Sequence, residues 1–196
     1  MSKVELLSPA GNLECLKSAV QCGADAVYFG ANKFNARINS DNFNNEELKE
    51  AIEYAKLRNV KTHLTLNILI KNNEFEEAIK LVEYAYKCGI DAIIVQDLGL
   101  AKKIIKLFPD LEVHSSTQMT IYNLDGVNKI KELGFSRCVL ARELSIEEIK
   151  HICKNTSIDI EVFIHGALCI CYSGQCLMSS LIGGRSGNRG KCARYL

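Results

Sequence analysis

The sequence predicts an α/β fold of repeated strand–helix units, a (β/α) TIM-type barrel that is incomplete at its C-terminus. Short apolar runs alternate with longer amphipathic runs along the whole chain. A glycine-containing junction recurs between a helix and the strand that follows it. Seven evenly spaced strands favour a barrel over a doubly wound sheet, and an eighth strand would be needed to close it.

Seven short runs are the predicted strands. They are apolar almost throughout, as expected of strands buried on both faces in a parallel sheet. In chain order they are residues 4–7, 26–29, 62–67, 92–95, 111–115, 138–140 and 160–164.

The runs between the strands have the periodicity of amphipathic helices. Residues 45–58 and 74–88 each place their apolar side chains on one helical face. Ser145 and Glu148 form a capping-box pattern, which predicts a helix that runs to about residue 155.

The recurring junction explains how each helix turns into the next strand. Cys22-Gly23-Ala24-Asp25 is echoed by Cys88-Gly89-Ile90-Asp91, and more weakly around Gly134. We expect each of these glycines to end its helix in the left-handed conformation, with a strand beginning at once.

Composition limits the class of protein. With 47% hydrophobic residues among 196, the chain can bury one sizeable core, so we expect a single barrel domain over residues 1–196. A net charge of +1 argues against a globally basic nucleic-acid binder, and 24% charged residues argue against disorder. No apolar run approaches a membrane span, and the N-terminus lacks a signal-peptide pattern. The expected location is therefore the cytoplasm.

Nine cysteines are many for a chain in a reducing compartment, where disulfides are disfavoured. Four of them lie in a glycine-, arginine- and cysteine-rich loop segment, residues 165–192, at Cys169, Cys171, Cys176 and Cys192. Such grouping fits thiolate ligands of an iron–sulfur cluster or of zinc, and the spacing leaves both open. The other five are predicted to be small buried hydrophobic residues: Cys15, Cys22, Cys88, Cys138 and Cys153.

Polar side chains follow almost every predicted strand. In a barrel the active site forms at the C-terminal ends of the strands, so these positions are candidates for chemistry. His114 to Gln118 are five consecutive polar residues, although a helix cap within this run is an alternative explanation. The predicted acid–base groups are Glu161, His165 and His114.

Positive charge is concentrated among glycines near the end of the sequence. Guanidinium groups and backbone N–H groups of this kind suit a phosphate or a carboxylate, although a solvated loop is the alternative. The predicted substrate-binding residues are Arg185, Asn188 and Arg189, together with Gln118 and Arg142 at strand ends.

Several motifs spread over the chain resemble one known family. They are Leu7-Ser8-Pro9-Ala10-Gly11, Val113-His114-Ser115-Ser116-Thr117-Gln118, Glu161-x-Phe163-x-x-Gly166-Ala167-Leu168-Cys169, and Arg185-Ser186-x-Asn188-Arg189-Gly190-x-Cys192. Together they resemble the collagenase-like peptidase family, peptidase family U32.

The resemblance implies one of two activities. Some members are described as metal-dependent peptidases that degrade collagen. Others are oxygen-independent hydroxylases that bind a [4Fe–4S] cluster through four cysteines. These act on tRNA uridine, 23S rRNA cytidine or ubiquinone precursors, and prephenate is the implied oxygen donor.

The resemblance also implies a ligand set. By position, Cys169, Cys176 and Cys192 resemble three of the cluster ligands. The fourth would be expected some tens of residues beyond Cys192, in a C-terminal part of the family's longer chain that is absent here. Cys171 is a possible substitute. We therefore expect a [4Fe–4S] cluster in the longer form, with zinc as the alternative.

The predicted function is thus an iron–sulfur-dependent hydroxylase acting in tRNA or rRNA modification, with RNA or a small carboxylate donor such as prephenate as partners. The first alternative is a peptidase, in which Cys169 and His165 could form a nucleophile–base pair, although no orienting partner is evident. The second is a non-catalytic fragment or subunit that self-associates through open barrel edges.

Overall fold

A computed structural model of the chain describes residues 4–36, 41–166 and 169–192. The strands are β1 (Leu7–Pro9), β2 (Ala26–Gly30), β3 (Lys61–Leu66), β4 (Ala92–Val95), β5 (Glu112–Ser115), β6 (Arg137–Val139) and β7 (Asp159–Glu161). The helices are α1 (Leu13–Gln21), α2 (Asn45–Lys56), α3 (Phe75–Cys88), α4 (Leu98–Leu107), α5 (Leu124–Glu132), α6 (Ile146–Asn155) and α7 (Met178–Gly183). Thr117–Met119 and Gly187–Arg189 are short 3-10 helices.

The seven strands form one parallel sheet in the order of the sequence, each strand pairing with the next. A helix separates each consecutive pair, which confirms the predicted (β/α)-barrel arrangement. The sheet is strongly curved. The curvature brings Glu5, just before β1, within reach of Arg137 at the start of β6, and the Glu5 carboxylate accepts a hydrogen bond from it. Within the described residues, β1 and β7 are the outer strands and do not pair with each other.

The predicted bounds match for β4, differ by one residue at one or both ends of β2, β3, β5 and β6, and are further off at the edges of the sheet. β4 has the predicted residues, whereas β1 begins at Leu7 instead of Val4. Before β1 the chain bonds to the α1–β2 turn, since the Leu6 amide donates to the Asp25 carboxylate at 2.9 Å.

The last strand is shorter than predicted. It ends at Glu161, whose carbonyl oxygen accepts from the Leu140 amide at 3.0 Å, whereas the prediction extended to Ile164. Among the described residues only β6 pairs with β7, so there the apolar run beyond Glu161 has no neighbouring strand to cover it, and Ile164 is exposed.

Helix starts follow the capping patterns of the sequence. Ser145 and Glu148 make both bonds of a capping box at the start of α6, as predicted. Asn44 and Glu47 do the same for α2, which ends at Lys56 rather than at Arg58. The three junction glycines, Gly23, Gly89 and Gly134, have φ angles of 93°, 89° and 94°, which confirms the predicted left-handed helix ends.

The two faces of the sheet differ in chemistry. Alternate strand residues such as Phe29, Leu64 and Val113 pack against the helices in one continuous apolar core. The opposite face lines the barrel interior, and there the side chains include the buried His63 and His114. The interior is therefore polar on the strands that hold the two histidines.

The nine cysteines are free thiols. Cys138 on β6 is buried as predicted, but Cys15, Cys22 and Cys153 are exposed and Cys88 is half-buried, so that prediction is wrong for these four. Their helices fill the core with other side chains, such as Leu16 of α1 and Ile152 of α6, which leaves the cysteines on the outer surface.

None of the helices in the described part of the chain is both long enough and apolar enough to cross a membrane.

Candidate functional site

The loop of residues 169–176, which we call the cysteine loop, lies over the carboxyl end of β5. The Thr120 hydroxyl donates to the carbonyl oxygen of Ser173 at 2.7 Å, and the Gln175 side-chain amide donates to the Thr120 hydroxyl oxygen at 2.9 Å. Gly174, with a φ of 72°, lies directly against the carbonyl oxygen of Gln118, where a Cβ atom would overlap it. The loop therefore touches the barrel backbone at this point.

Arg142 joins the cysteine loop to the exit of β6. Its Nη1 atom donates to the carbonyl oxygen of Cys169 and its Nη2 atom to that of Cys171, both at 3.1 Å. Its Nε atom donates to the Ser173 hydroxyl at 3.2 Å. The guanidinium group predicted to bind substrate is thus bonded to the backbone that carries two of the cysteines.

Glu143 completes the attachment. One of its carboxylate oxygens accepts from the backbone amide of Ser173 at 2.8 Å and from its hydroxyl at 3.1 Å. Ser173 is only 1% exposed, so these bonds are shielded from water.

Two of the three predicted metal ligands, Cys169 and Cys176, lie in the loop with Cys171, the possible substitute. Interaction with the Cys176 thiol, followed by partial burial and the nearby Cys169 thiol, raises the pKa of Cys171 to about 11. Nevertheless, in residues 4–36, 41–166 and 169–192 no three His, Cys, Asp or Glu side chains are arranged to hold a metal ion. The thiols are grouped without forming a finished metal site.

The third predicted ligand, Cys192, lies in the turn after the second 3-10 helix. It is exposed, and its Cα atom lies close to Gly187. Ala167 and Leu168 of the family motif lie outside the described residues.

Arg189 attaches this last segment to the loop between β3 and α3. Its Nη1 atom donates to the carbonyl oxygen of Leu69 at 2.8 Å, and its Nη2 atom donates to the Glu74 carboxylate at 2.6 Å. The hydrogen bond from Arg189 is the main cause of a lowered pKa at Glu74. Arg185 is exposed just after α7, and Asn188 is half-buried in the second 3-10 helix.

An open cleft of about 420 Å³ lies between the exits of β4 and β5. Gln118 lines it, as expected of a residue at a strand end, and the Gln96 side chain donates to the Gln118 carbonyl oxygen at 3.3 Å. The lining residues are Leu69, Gln96, Asp97, Leu98, Gly99, Gln118 and Met119.

A second polar group, which we call the interior cluster, lies at the opposite end of the barrel. Arg137 is its centre: besides Glu5, its guanidinium lies 3.5 Å from the Glu161 carboxylate and 3.6 Å from Asp159. Arg137 and Asp159 are the first residues of their strands, so the cluster lies toward the amino ends of the strands.

The two interior histidines belong to the same cluster. His114 Nε2 is 3.1 Å from a carboxylate oxygen of Glu112, and its ring meets that of His63 edge-to-face at 4.9 Å. Burial, followed by the charges of His114 and Arg137, lowers the pKa of His63 to about 3. Burial also lowers the pKa of His114, while the hydrogen bond from His114 lowers the pKa of Glu112 to about 2.

The structure does not bring the three predicted acid–base residues together. His114 is directed toward Glu112, the first residue of β5, and Glu161 pairs with Arg137. His165 is exposed beyond β7. Their catalytic roles stay predictions. Burial raises the pKa of Glu161, against the charge of Arg137.

Sequence reasoning missed the partners that hold the cysteine loop. Glu143 could have been identified from the sequence, since it is an ionisable residue at the exit of β6. Ser173 could not, because its role depends on its burial against Glu143 and Arg142.

A parallel (β/α) barrel with a thiol-bearing loop over the carboxyl ends of its strands is the class of protein that this fold and site define. Comparison with known families gives a specific assignment. Residues 11–195 match the model of Peptidase family U32, and the chain belongs to that family.

Curated relatives carry names of two kinds. A tRNA hydroxylation protein of Bacillus subtilis is 42% identical over 98% of this chain and 46% of its own length. A 23S rRNA 5-hydroxycytidine synthase of Escherichia coli is 41% identical over 98% of this chain and 29% of its own length. A collagenase of Porphyromonas gingivalis is 34% identical over 97% of this chain and 48% of its own length. The chain thus spans about half the length of these relatives, or less.

Solved structures support the fold. A U32 peptidase superposes with a TM-score of 0.71 at 15% identity, covering 83% of this chain and 69% of its own. A phosphonopyruvate hydrolase superposes with a TM-score of 0.59 at 13% identity, covering 82% and 67%. At these identities the likeness concerns the fold alone.

Proposed function

We propose that this chain is the barrel and cysteine-loop portion of an iron–sulfur-dependent, oxygen-independent hydroxylase that acts in tRNA or rRNA modification. One observation carries the proposal: the thiols of Cys169, Cys171 and Cys176 are grouped in a loop that is fastened over the carboxyl ends of β5 and β6. This is the end of a barrel at which catalysis takes place.

The names of the relatives favour hydroxylation of RNA over proteolysis. Among eight relatives compared, six have names of tRNA or rRNA hydroxylation proteins at 38–42% identity, and two have protease names, at 40% and 34% identity. The site favours the same choice, since neighbouring thiols suit a metal cluster better than a single nucleophile, and His165 and Cys169 are both exposed.

The donor set fits an iron–sulfur cluster in kind. Such clusters are held by cysteine thiolates, and Cys169, Cys171, Cys176 and Cys192 are the thiols of this segment that would hold one. When bound, the cluster would supply electron transfer or activation of an oxygen donor. The same thiolates also suit zinc, which is the alternative.

Within this proposal the chain's own residues bind and orient the substrate. Gln118 and Gln96 present amide groups in the cleft beside the cysteine loop. Arg185 and Asn188 stay the predicted contacts for an RNA phosphate or for a small carboxylate donor such as prephenate. Since the chain is nearly neutral, RNA binding would depend on few local contacts and have a shallow salt dependence.

The proposal extends to location and assembly. We place the protein in the cytoplasm, where thiols stay reduced. In the described part of the chain the outer edges of β1 and β7 have no partner strand, so self-association through them is a further element of the proposal. Sedimentation over a range of concentrations tests it, and a monomer at all concentrations would remove it.

The test is anaerobic purification followed by absorbance spectroscopy and analysis of iron, acid-labile sulfide and zinc. We expect a broad thiolate-to-iron charge-transfer band and roughly four iron atoms per chain. Cys176→Ser should abolish both, whereas Cys153→Ser, which changes an exposed helical thiol, should leave both unchanged.

Other outcomes separate the alternatives. Stoichiometric zinc in a colourless protein would contradict the iron–sulfur proposal for this chain. Cleavage of collagen peptides that is lost in both Cys169→Ser and His165→Gln would favour the peptidase instead.

A further inference from the structure

We propose that Arg142, acting with Glu143, is a positioning residue that holds the cysteine loop in the conformation that groups its thiols. The relevance of this grouping to a cluster rests on the proposed function. The attachment itself is a property of the described residues.

The Arg142 side chain makes several bonds to the cysteine loop. Three of the nitrogen atoms of Arg142 donate to the loop, two of them to the carbonyl oxygens of Cys169 and Cys171. A planar guanidinium matches two adjacent acceptors with little loss of side-chain freedom. Bonds from a charged donor are also stronger than neutral ones.

Ser173 attaches the cysteine loop at a second point. Its hydroxyl accepts from Arg142 and donates to Glu143, and its amide also donates to Glu143. Since Ser173 is buried, breaking this network would leave polar groups without partners and away from water. Arg142 and Glu143, which are adjacent at the exit of β6, therefore hold the loop from two sides.

The attachment lies on the backbone of two cysteines. The acceptors belong to the cysteines themselves, so fixing the Cys169 and Cys171 carbonyls fixes the backbone that directs their side chains. The loop lacks a helix or strand of its own, and a free loop would have to lose its conformational entropy whenever the thiols converge on a metal.

This role of Arg142 differs from the predicted one. The sequence predicts that Arg142 binds substrate, whereas its side-chain donors are directed to the loop. If it positions the loop, its loss should change thiol behaviour in the absence of any substrate.

The experiment compares Arg142→Gln with Arg58→Gln in the chain as purified, without added metal. Arg58 is an exposed arginine beyond the end of α2 and provides the matched control. Amide hydrogen exchange over residues 169–176 should become roughly tenfold faster or more in Arg142→Gln, because a charged hydrogen bond is lost. Exchange in the barrel strands should not change. Arg58 also donates to a backbone carbonyl oxygen, that of Tyr54, but outside the cysteine loop, so Arg58→Gln should match the parent over residues 169–176.

A second readout uses Cd²⁺ alone, which binds thiolates and gives an ultraviolet charge-transfer band. Its dissociation constant should rise roughly tenfold or more in Arg142→Gln. Arg142→Lys keeps the charge but not the fork, so it should restore only part of the affinity. Glu143→Gln provides an independent variant of the same network and should also speed exchange at Ser173.

The inference is overturned if loop exchange or Cd²⁺ affinity is unchanged in Arg142→Gln. It is also overturned if Arg142→Gln and Glu143→Gln both unfold the whole barrel, since the residues would then stabilise the fold rather than the loop. These readouts need no iron. A chain that never binds iron would contradict the proposed function while still testing Arg142, and a chain that binds iron with an unchanged loop would do the opposite.

Discussion

The two ends of the barrel use similar polar groups in different structural settings. At the amino end, the interior cluster around Arg137 is built on the first residues of strands, which the sheet itself holds in place. At the carboxyl end, Arg142 and Glu143 lie beyond a strand and hold a loop. An arginine paired with carboxylates therefore stabilises the barrel at one end and orders a candidate site at the other.

This difference assigns stability to the amino end of the barrel and function to its carboxyl end. Barrels generally place chemistry at the carboxyl ends of the strands and leave the amino ends to stability. If the separation holds here, changes in the interior cluster should lower the free energy of unfolding, and changes at the cysteine loop should affect local opening and thiol chemistry.

The largest effect is expected from Arg137→Met. Removing the cation leaves Glu161 as a half-buried carboxylate without this partner and leaves Glu5 with Lys61 at 3.5 Å, and the free energy of unfolding should fall by about 2–4 kcal/mol. Urea denaturation measures it. Lys80→Met breaks an exposed helical pair with Glu76 and should leave the free energy of unfolding close to that of the parent. A loss below that of the control would contradict a stabilising role for the cluster.

Gly174→Ala should produce the next largest effect, at the other end. A Cβ atom would overlap the Gln118 carbonyl oxygen, and the positive φ adds strain, together about 1–3 kcal/mol. Gly184→Ala is the matched control, since Gly184 also has a positive φ but no atom within 4 Å of a Cβ.

The measurement is hydrogen exchange over residues 169–176 in both variants. Only Gly174→Ala should open the loop, and urea denaturation should show little change in the barrel. Equal loop exchange in the two alanine variants would mean that the contact with Gln118 does not hold the loop.

Between pH 7 and pH 5 the pH dependence of stability should report on the two buried histidines of the interior cluster. The pKa of His63 is lowered to about 3 in the folded chain, against about 6.5 in an unfolded one, so the unfolded chain binds more protons between these values. Stability should therefore fall as the pH falls below about 6.5. The lowered pKa values of Glu112 and Glu5 add further loss only below about 4.5.

His63→Gln tests this dependence. Between pH 7 and pH 5 the parent should lose about 1–2 kcal/mol more of its unfolding free energy than the variant does. His151→Gln, at an exposed position on α6, should keep the parental slope. A His63→Gln slope equal to that of the parent would show that His63 does not titrate as its burial implies.

The sequence predicted the barrel well because its signals are local and repeated. The apolar runs located all seven strands, and the junction glycines fixed where helices end. The errors fell on β1 and β7, because an outer strand has a neighbour on one side only and its length depends on pairing.

The site was predicted in part. Clustered cysteines in loop sequence indicated that Cys169, Cys171 and Cys176 lie together. The sequence could not show that Arg142 bonds to carbonyl oxygens, since every residue carries one. Nor could it show that His114 bonds to Glu112 rather than lying at the mouth of the barrel.

The smallest effect on the free energy of unfolding is expected from Arg189→Gln. This variant tests whether an arginine at the carboxyl end fastens the chain or contacts substrate. Arg189 was predicted to bind substrate, yet its guanidinium is bonded to the Leu69 carbonyl oxygen and to Glu74. Both partners are on the β3–α3 loop and the pair is partly exposed, so its loss should cost about 0.5–1 kcal/mol.

Limited proteolysis within residues 178–190 should become faster in Arg189→Gln, as it should in Glu74→Gln, while Lys191→Gln at an exposed neighbouring position should match the parent. If Arg189 instead binds an RNA phosphate, Arg189→Gln should weaken RNA binding and reduce its salt dependence, and Glu74→Gln should do neither. The paired acidic variant thus separates an arginine that fastens the segment from one that contacts substrate, because only the first role needs Glu74.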